Sequence, residues 1–139
     1  MSAESDVRRA SAAFYAALNR MGHGVQGTME DVWSHGATVT AMHPIGGRTE
    51  GWEAVRQSFD QVASLAANAH IAIEDQQVHV FGELAYEHGV EVGSFTMAGH
   101  HVVLDQRVTN IYARETGGWK LVHHHADLSP GMLDILKRL

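Results

Sequence analysis

The chain contains no cysteine, which excludes disulfides, thiolate chemistry and cysteine-ligated zinc. Proline occurs twice, at Pro44 and Pro130. Of the ten basic residues only Lys120 and Lys137 are lysines, the arginines are scattered, and the formal net charge is −6. A nucleic-acid partner needs a basic stripe to neutralise phosphates, and the sequence has none. No apolar run approaches the roughly 18 residues that span a bilayer, so no membrane partner is expected. The opening segment, Met1-Ser-Ala-Glu-Ser-Asp-Val-Arg-Arg9, is polar and lacks a secretory hydrophobic region, so the expected location is cytoplasmic. What is present is ordinary for a folded chain: 139 residues, 45% hydrophobic and 19% charged. That length fits one domain, residues 1–139, with a core that needs no staples. The unusual count is eleven histidines, and they fall inside predicted elements, not in a terminal run.

Periodicity organises the chain. Val7, Phe14, Leu18 and Met21 share one face at helical spacing, predicting a helix from Ala3 to about Met21 that Gly22 and Gly24 end. A short second helix is expected from about Val25 to Ser34, carrying Met29, Val32 and Trp33 inward. The apolar strand Ala37–His43 follows, then a third helix from about Gly51 to Ala67 with Trp52, Val55, Phe59 and Val62 on one stripe. Past His70 the period changes to two: Ile71 and Ile73, then Val78 and Val80, interrupted at Glu74-Asp75-Gln76-Gln77 by a bend or bulge. Strands over about 83–96 and 101–114 meet at Ala98-Gly99, and a last strand covers about 119–127. Ser129 before Pro130 reads as the cap of a closing helix. Helices gathered on one face of about four antiparallel strands make an α+β fold, and a long bent sheet under helices encloses a pocket for a small-molecule ligand.

His43-Pro44 carries the most functional information. Proline cannot donate to a sheet ladder and biases the preceding residue to extended geometry. The strand should therefore stop at His43, leaving a titratable imidazole at its rim.

The element order, this histidine-proline, the run Arg107-Val-Thr-Asn-Ile-Tyr-Ala-Arg114 and the ending Gly117-Gly118-Trp119-Lys120-Leu121-Val122-His123-His124-His125 resemble the nuclear transport factor 2-like superfamily. Within it the chain is similar to SnoaL-like and ketosteroid isomerase-like domains and to the association domain of calcium/calmodulin-dependent kinase. The resemblance implies a cone-shaped curved antiparallel sheet packed against N-terminal helices, of cystatin-like type. The superfamily hosts isomerases, cyclases, dehydratases and assembly modules, so it implies fold more than function. It also implies that the residue before the strand-end proline faces a cavity. Isomerase-like members have an aspartate base there and the association domain a glutamate, where this chain has His43. Pocket arginines of the association domain correspond to Asn110, Ala126 and Glu91, so the cationic lining that suits a carboxylate ligand is lost.

Neighbours on a strand point to opposite faces, so the direction of His123, His124 and His125 depends on the preceding turn. Thr116 suits φ > 0 poorly, which favours a three-residue loop with Gly117 left-handed. Pairing Arg114 with Gly118 then puts His124 on the face of Asn110, with His123 and His125 on the other. A two-residue loop would reverse this. Arg107 falls on the opposite face from Asn110 and is expected in a dimer-face salt bridge.

Two functions follow. In the first, a cofactor-independent lyase or isomerase-type enzyme uses His43 as general base on an apolar carbonyl-type molecule, with Asn110 and His124 (or Tyr112) hydrogen-bonding the developing oxyanion. Tyr15, Trp33, Trp52, Val55, Glu91 and Tyr112 are the candidate ligand contacts. In the second, a homodimeric ligand-binding or oligomerisation domain carries no chemistry, and His43 is a rim residue bonded to backbone. No metal is expected, although His123 and His125 with His43 or another histidine would make a three-histidine set.

Overall fold

Ser2 starts the first helix. Its hydroxyl accepts from the Ser5 amide at 3.1 Å, and Glu4 and Asp6 sit in the first turn against the positive end of the helix dipole. This helix, α1, runs Ala3–Met21 as its spacing predicts, with Val7, Phe14, Leu18 and Met21 buried. The structure is a computed structural model and describes residues 2–139.

No helix forms over residues 25–34; the segment is a series of turns. Gly24 and Gly27 adopt φ of +87° and +72°, which stops helix propagation. Met29 and Trp33 are still buried, because Ser34 and Leu121 dock the segment onto the sheet through amide bonds to Leu121 and Val32 carbonyls, each 2.9 Å. The apolar spacing reported burial correctly and conformation wrongly.

Strand β1 is Thr40–His43, shorter than expected at its start but ending at the residue before the proline. Pro44 and Ile45 turn the chain, His43 pairs with Gly46, and β2 (Gly46–Glu50) returns antiparallel. The strand β2 has no signal in the sequence. It is a short, largely exposed edge strand carrying Arg48 and Glu50, so it needs no apolar alternation. Helix α2 covers Trp52–Ala63 and buries Val55 and Phe59. It ends before Ala66 and Ala67, which pair with Met97 and Thr96 in the sheet; tertiary pairing overrides their helical preference.

Strands β3 (Ala66–Phe81), β4 (Leu84–Met97), β5 (His100–Glu115) and β6 (Gly118–Ala126) complete one six-stranded sheet ordered β2-β1-β6-β5-β4-β3. Neighbours are antiparallel except β1 and β6. The edge strand β3 carries two register shifts against β4, one at the expected Glu74–Gln77 and one between Ala67 and His70. Asp75 and Asn68 take φ of +53° and +57° there, the residue types that tolerate it best. Such shifts bend a strand and raise its twist. The sheet therefore curls over α1, with Ala85, Glu87, Glu91, Phe95 and Met97 of β4 and Val102, Leu104, Gln106, Val108, Asn110 and Tyr112 of β5 buried on the concave face.

The β4–β5 hairpin turns through Ala98 and Gly99, both with positive φ (+49° and +82°). Two left-handed residues make the tight turn that suits the strand twist, and asparagine fits the first position better than alanine. Ala98→Asn is expected to stabilise the protein by about 0.5–1 kcal/mol, read as a higher midpoint in urea; an unchanged or lower midpoint would contradict the turn geometry.

The β5–β6 connection corrects the sequence reading. Glu115 pairs with Gly118, so the loop has two residues, Thr116 and Gly117, and the left-handed residue is Gly118 at φ +109°. By itself that loop would send His123 and His125 inward. A register shift follows, however: Tyr112 pairs with Leu121 but Ile111 with His123, leaving Val122 as the extra residue. Asn110 then sits opposite His124. The expected facing of His124 is reached through a bulge, not through the turn.

Ser129 caps the closing helix α3 (Pro130–Lys137) by accepting from the Met132 amide at 3.2 Å, and its own amide donates to the Pro44 carbonyl at 2.9 Å. Helix α3 is thus tied to the β1–β2 turn.

Candidate functional site

A cavity lies between the concave sheet face and the helices. Leu18 and Met21 of α1, Phe59 and Val62 of α2, Phe95 and Met97 of β4, Leu104 of β5 and Met132 of α3 form its apolar wall. The polar groups on it are His43, Glu91, Gln106 and His124. Its water-accessible volume is about 60 Å³, room for a compact ligand or a few waters. Among the described residues, no lysine or arginine lines it.

His43 reaches the cavity because the proline ends β1 there. It is 9% exposed, its ring meets Phe59 edge-on at 4.7 Å, and its Nε2 lies 2.8 Å from Ser58 Oγ. The Ser58 hydroxyl already donates its single proton to the Val55 carbonyl at 2.6 Å. It must therefore accept from His43 Nε2–H, which assigns Nδ1 as the unprotonated nitrogen. Burial pushes the His43 pKa down to about 4, so the ring is neutral at pH 7.

His124, 6.0 Å from His43 between ring centroids, is held in the mirror sense. Its Nδ1 lies 2.6 Å from Asn110 Oδ1. The Asn110 amide is oriented by donating through Nδ2 to Glu87 Oε1 at 3.0 Å and to Tyr15 Oη at 3.2 Å. Asn110 Oδ1 is then an acceptor, His124 Nδ1 carries the proton, and Nε2 is the bare nitrogen. Burial, and next the neighbouring His43, hold the His124 pKa well below the ordinary histidine value.

Glu91, 3% exposed, accepts from Tyr15 Oη at 2.9 Å and from Gln106 Nε2 at 2.9 Å. Burial raises its pKa, and those two hydrogen bonds only partly oppose the rise. Burial first, then the charges of Glu91 and Glu87, push the Tyr15 phenol far up. Glu87, with no exposure, accepts from Tyr112 Oη at 2.6 Å and from Gln76 Nε2 at 2.7 Å as well as from Asn110. Tyr112→Phe removes one of these from a buried carboxyl and is expected to cost about 1–3 kcal/mol, measured by denaturant unfolding; a cost below experimental error would show that Glu87 does not depend on it.

The structure brings His43, His124 and Glu91 to one cavity. Asn110 lies behind His124 with its amide fully engaged and does not line the cavity. Tyr15 reaches the site through Glu91 and Asn110, and Tyr112 through Glu87. Trp33 is buried against Phe59 at 5.9 Å, with its Nε1 lacking a partner, and Val55 is fully buried on the inner face of α2. Trp52 is stacked on His35 at 4.3 Å, away from the cavity. These five do not line the cavity. His123 is bonded to Thr40 at 2.6 Å and His125 is exposed, on the opposite sheet face from His124, so the three-histidine set does not converge. Arg107 pairs in a forked contact with Asp127 of the same chain, at 2.8 and 3.2 Å.

Sequence reasoning missed Ser58, Glu87 and Gln106. Parity would have found two of them: Glu87 shares a strand face with Glu91, and Gln106 with Asn110. Ser58 has no such signal, since its contact depends on how α2 crosses β1.

A family model for the SnoaL-like domain matches residues 7–129, and the chain belongs to that family, within the nuclear transport factor 2-like superfamily. No curated protein matches the sequence. Among solved structures, one described as a candidate dehydratase of the nuclear transport factor 2-like family from Streptomyces avermitilis is 25% identical, with a TM-score of 0.79 over 91% of this chain and 95% of that one. A candidate calcium/calmodulin-dependent protein kinase type II association domain from Thiobacillus denitrificans is 24% identical (TM-score 0.70; 86% and 92% covered). A candidate ketosteroid isomerase from Shewanella frigidimarina is 15% identical (TM-score 0.71; 91% and 98% covered). The last two likenesses are of fold. Among the described residues, no helix is long and apolar enough to cross a membrane.

Proposed function

We propose that this protein is a small cofactor-independent acid–base enzyme of lyase or isomerase type, acting through His43 on a compact, apolar carbonyl-containing molecule. The observation that carries the reading is that a neutral imidazole and a carboxyl biased toward its protonated form face one apolar cavity. Titratable groups whose environments push their pKa values apart are a usual mark of paired base and acid roles. His43 Nδ1 takes a proton from carbon beside the carbonyl. The electron pair left behind forms an enolate, or forms a C=C bond as a β-hydroxyl departs with the proton of Glu91 and leaves as water. His43 then returns its proton, directly to the product or to Glu91 through water. Asn110 acts as a positioning residue, holding His124 and not the substrate. Likeness to a candidate dehydratase supports the elimination branch.

The test is proton NMR of small ketones and β-hydroxy ketones in D₂O with the protein added. Hydrogen exchange or elimination that depends on His43 supports the reading; the same rates with His43→Gln would refute it.

A second reading has its own observation. Phe81, Leu84 and Tyr86 are large and exposed and lie together on the convex face at one end of β3–β4, with the Phe81 and Tyr86 rings stacked at 6.1 Å. They fit a homodimer formed through the outer sheet, as the resemblance to an association domain suggests. Light scattering should give a dimer at micromolar concentration, and a monomer would count against it.

A further inference from the structure

The cavity is short of protons on its nitrogens. Ser58 and Asn110 occupy the N–H of His43 and of His124, so each ring keeps a lone pair and no donor on its other nitrogen. Neither bare nitrogen is sealed into the core. Among the described residues, Trp33 Nε1 is the only fully buried side-chain nitrogen or oxygen without a partner, and both rings line the cavity. Both rings, each with one unprotonated nitrogen, thus border one apolar space, with ring centroids 6.0 Å apart. The remaining polar lining is Gln106, which has spent one N–H on Glu91, and the Glu91 carboxyl, both of whose oxygens already accept.

We propose that the cavity recognises neutral, compact alcohols in preference to the matching ketones and carboxylates. A ketone brings an acceptor to a site whose two imidazoles are acceptors already, and leaves both nitrogens desolvated and unpaired. A hydroxyl donates to one of those nitrogens and still accepts from Gln106 or from Glu91 when it is protonated. A carboxylate meets no cation and lies beside a buried carboxyl, so it loses its hydration without compensation. The inference deepens the acid–base reading of the same site, since a β-hydroxy ketone offers the hydroxyl that the two rings lack.

The experiment uses three molecules of one shape: cyclohexanol, cyclohexanone and cyclohexanecarboxylate. Their dissociation constants would be measured by NMR titration of the intact protein at pH 7. Cyclohexanol is expected to bind at least about tenfold tighter than cyclohexanone, with no binding by the carboxylate. In His43→Leu the alcohol-to-ketone ratio should fall, with His124 keeping the remainder of the preference. Equal or tighter binding by the ketone, binding by the carboxylate, or failure of the alcohol to bind overturns the proposal. Imidazole ¹⁵N shifts of the unsubstituted protein give a readout that needs no variant: His43 Nδ1 and His124 Nε2 must be the unprotonated nitrogens, and the opposite tautomer at either ring overturns it. Failure of the chemistry is separable. Alcohol selectivity without His43-dependent exchange would sink the enzyme and leave recognition standing, whereas exchange with indifferent binding would do the reverse.

Discussion

His43→Gln is expected to lower turnover by about 10²- to 10⁴-fold, the usual contribution of one positioned general base. Glutamine keeps polarity near Ser58 but has no basic nitrogen. The same residue should fix the acid limb of the rate profile. With its pKa pushed down to about 4 by burial, His43 stays unprotonated to well below the ordinary histidine range, so kcat/KM should hold until the pH falls toward 4. A limb near pH 6.5 would show that another group, or a hydrated His43, is the base.

The stability of the protein carries the complementary signature. The unfolded chain protonates this histidine as pH falls through about 6.5, while the folded chain resists until about 4. The unfolded state therefore binds more protons across that window. The contribution of a neutral His43 is fully present above pH 6.5 and is lost as pH falls toward 4, by about 3 kcal/mol. Glu91 acts in the opposite sense, because its raised pKa favours folding at low pH and opposes it as pH rises. The difference in unfolding free energy between the unsubstituted protein and His43→Gln removes the Glu91 effect and isolates the imidazole. That difference should shrink across pH 6.5 to 4; if it is flat, the ring is solvated and the cavity reading fails.

Gly93→Ala should be the most damaging small substitution in the sheet. Gly93 has φ +131°, and a Cβ there would lie 1.8 Å from the His70 carbonyl oxygen and 3.2 Å from Ile71 Cα. Backbone cannot swing aside as a flexible side chain can, because it belongs to the bulged pairing of β3 with β4. The expected loss is about 3–5 kcal/mol, from overpacking together with a left-handed conformation. Gly47→Ala is the control: φ is +78° and nothing lies within 4 Å of its Cβ, so it should cost only about 1–2 kcal/mol. Urea unfolding of both proteins decides the matter. Similar losses would mean that β3 does not press against β4 as described, and the curvature that makes the cavity would lose its cause.

Much of the architecture was legible because it is local. The Ala3–Met21 helix announced itself by its period and by the glycines that follow it, the Asp75 bulge by a polar interruption in an alternating strand, and the end of β1 by Pro44. Where the reading failed, a non-local force had decided. Met29 and Trp33 pack inward from a string of turns because the sheet supplies their backbone partners. The strand β2 exists because β1 offers it an edge. The turn chemistry of Thr116-Gly117 gave the right face for His124 through a wrong loop length, which the bulge at Val122 cancelled.

The amino-acid order alone determined the span of the first helix, the end of the first strand and the cap of the closing helix, that the chain is an α+β fold, and that a histidine stands at the end of its first strand. Side-chain period and proline sterics act between near neighbours, so they survive without the rest of the molecule. Only the folded structure decided which histidines share a cavity, which of their nitrogens carry a proton, and that Glu91 lies beside them. Those depend on strand register and on hydrogen bonds between residues as far apart as Tyr15 and Asn110, and a single extra residue in a strand reverses every facing beyond it.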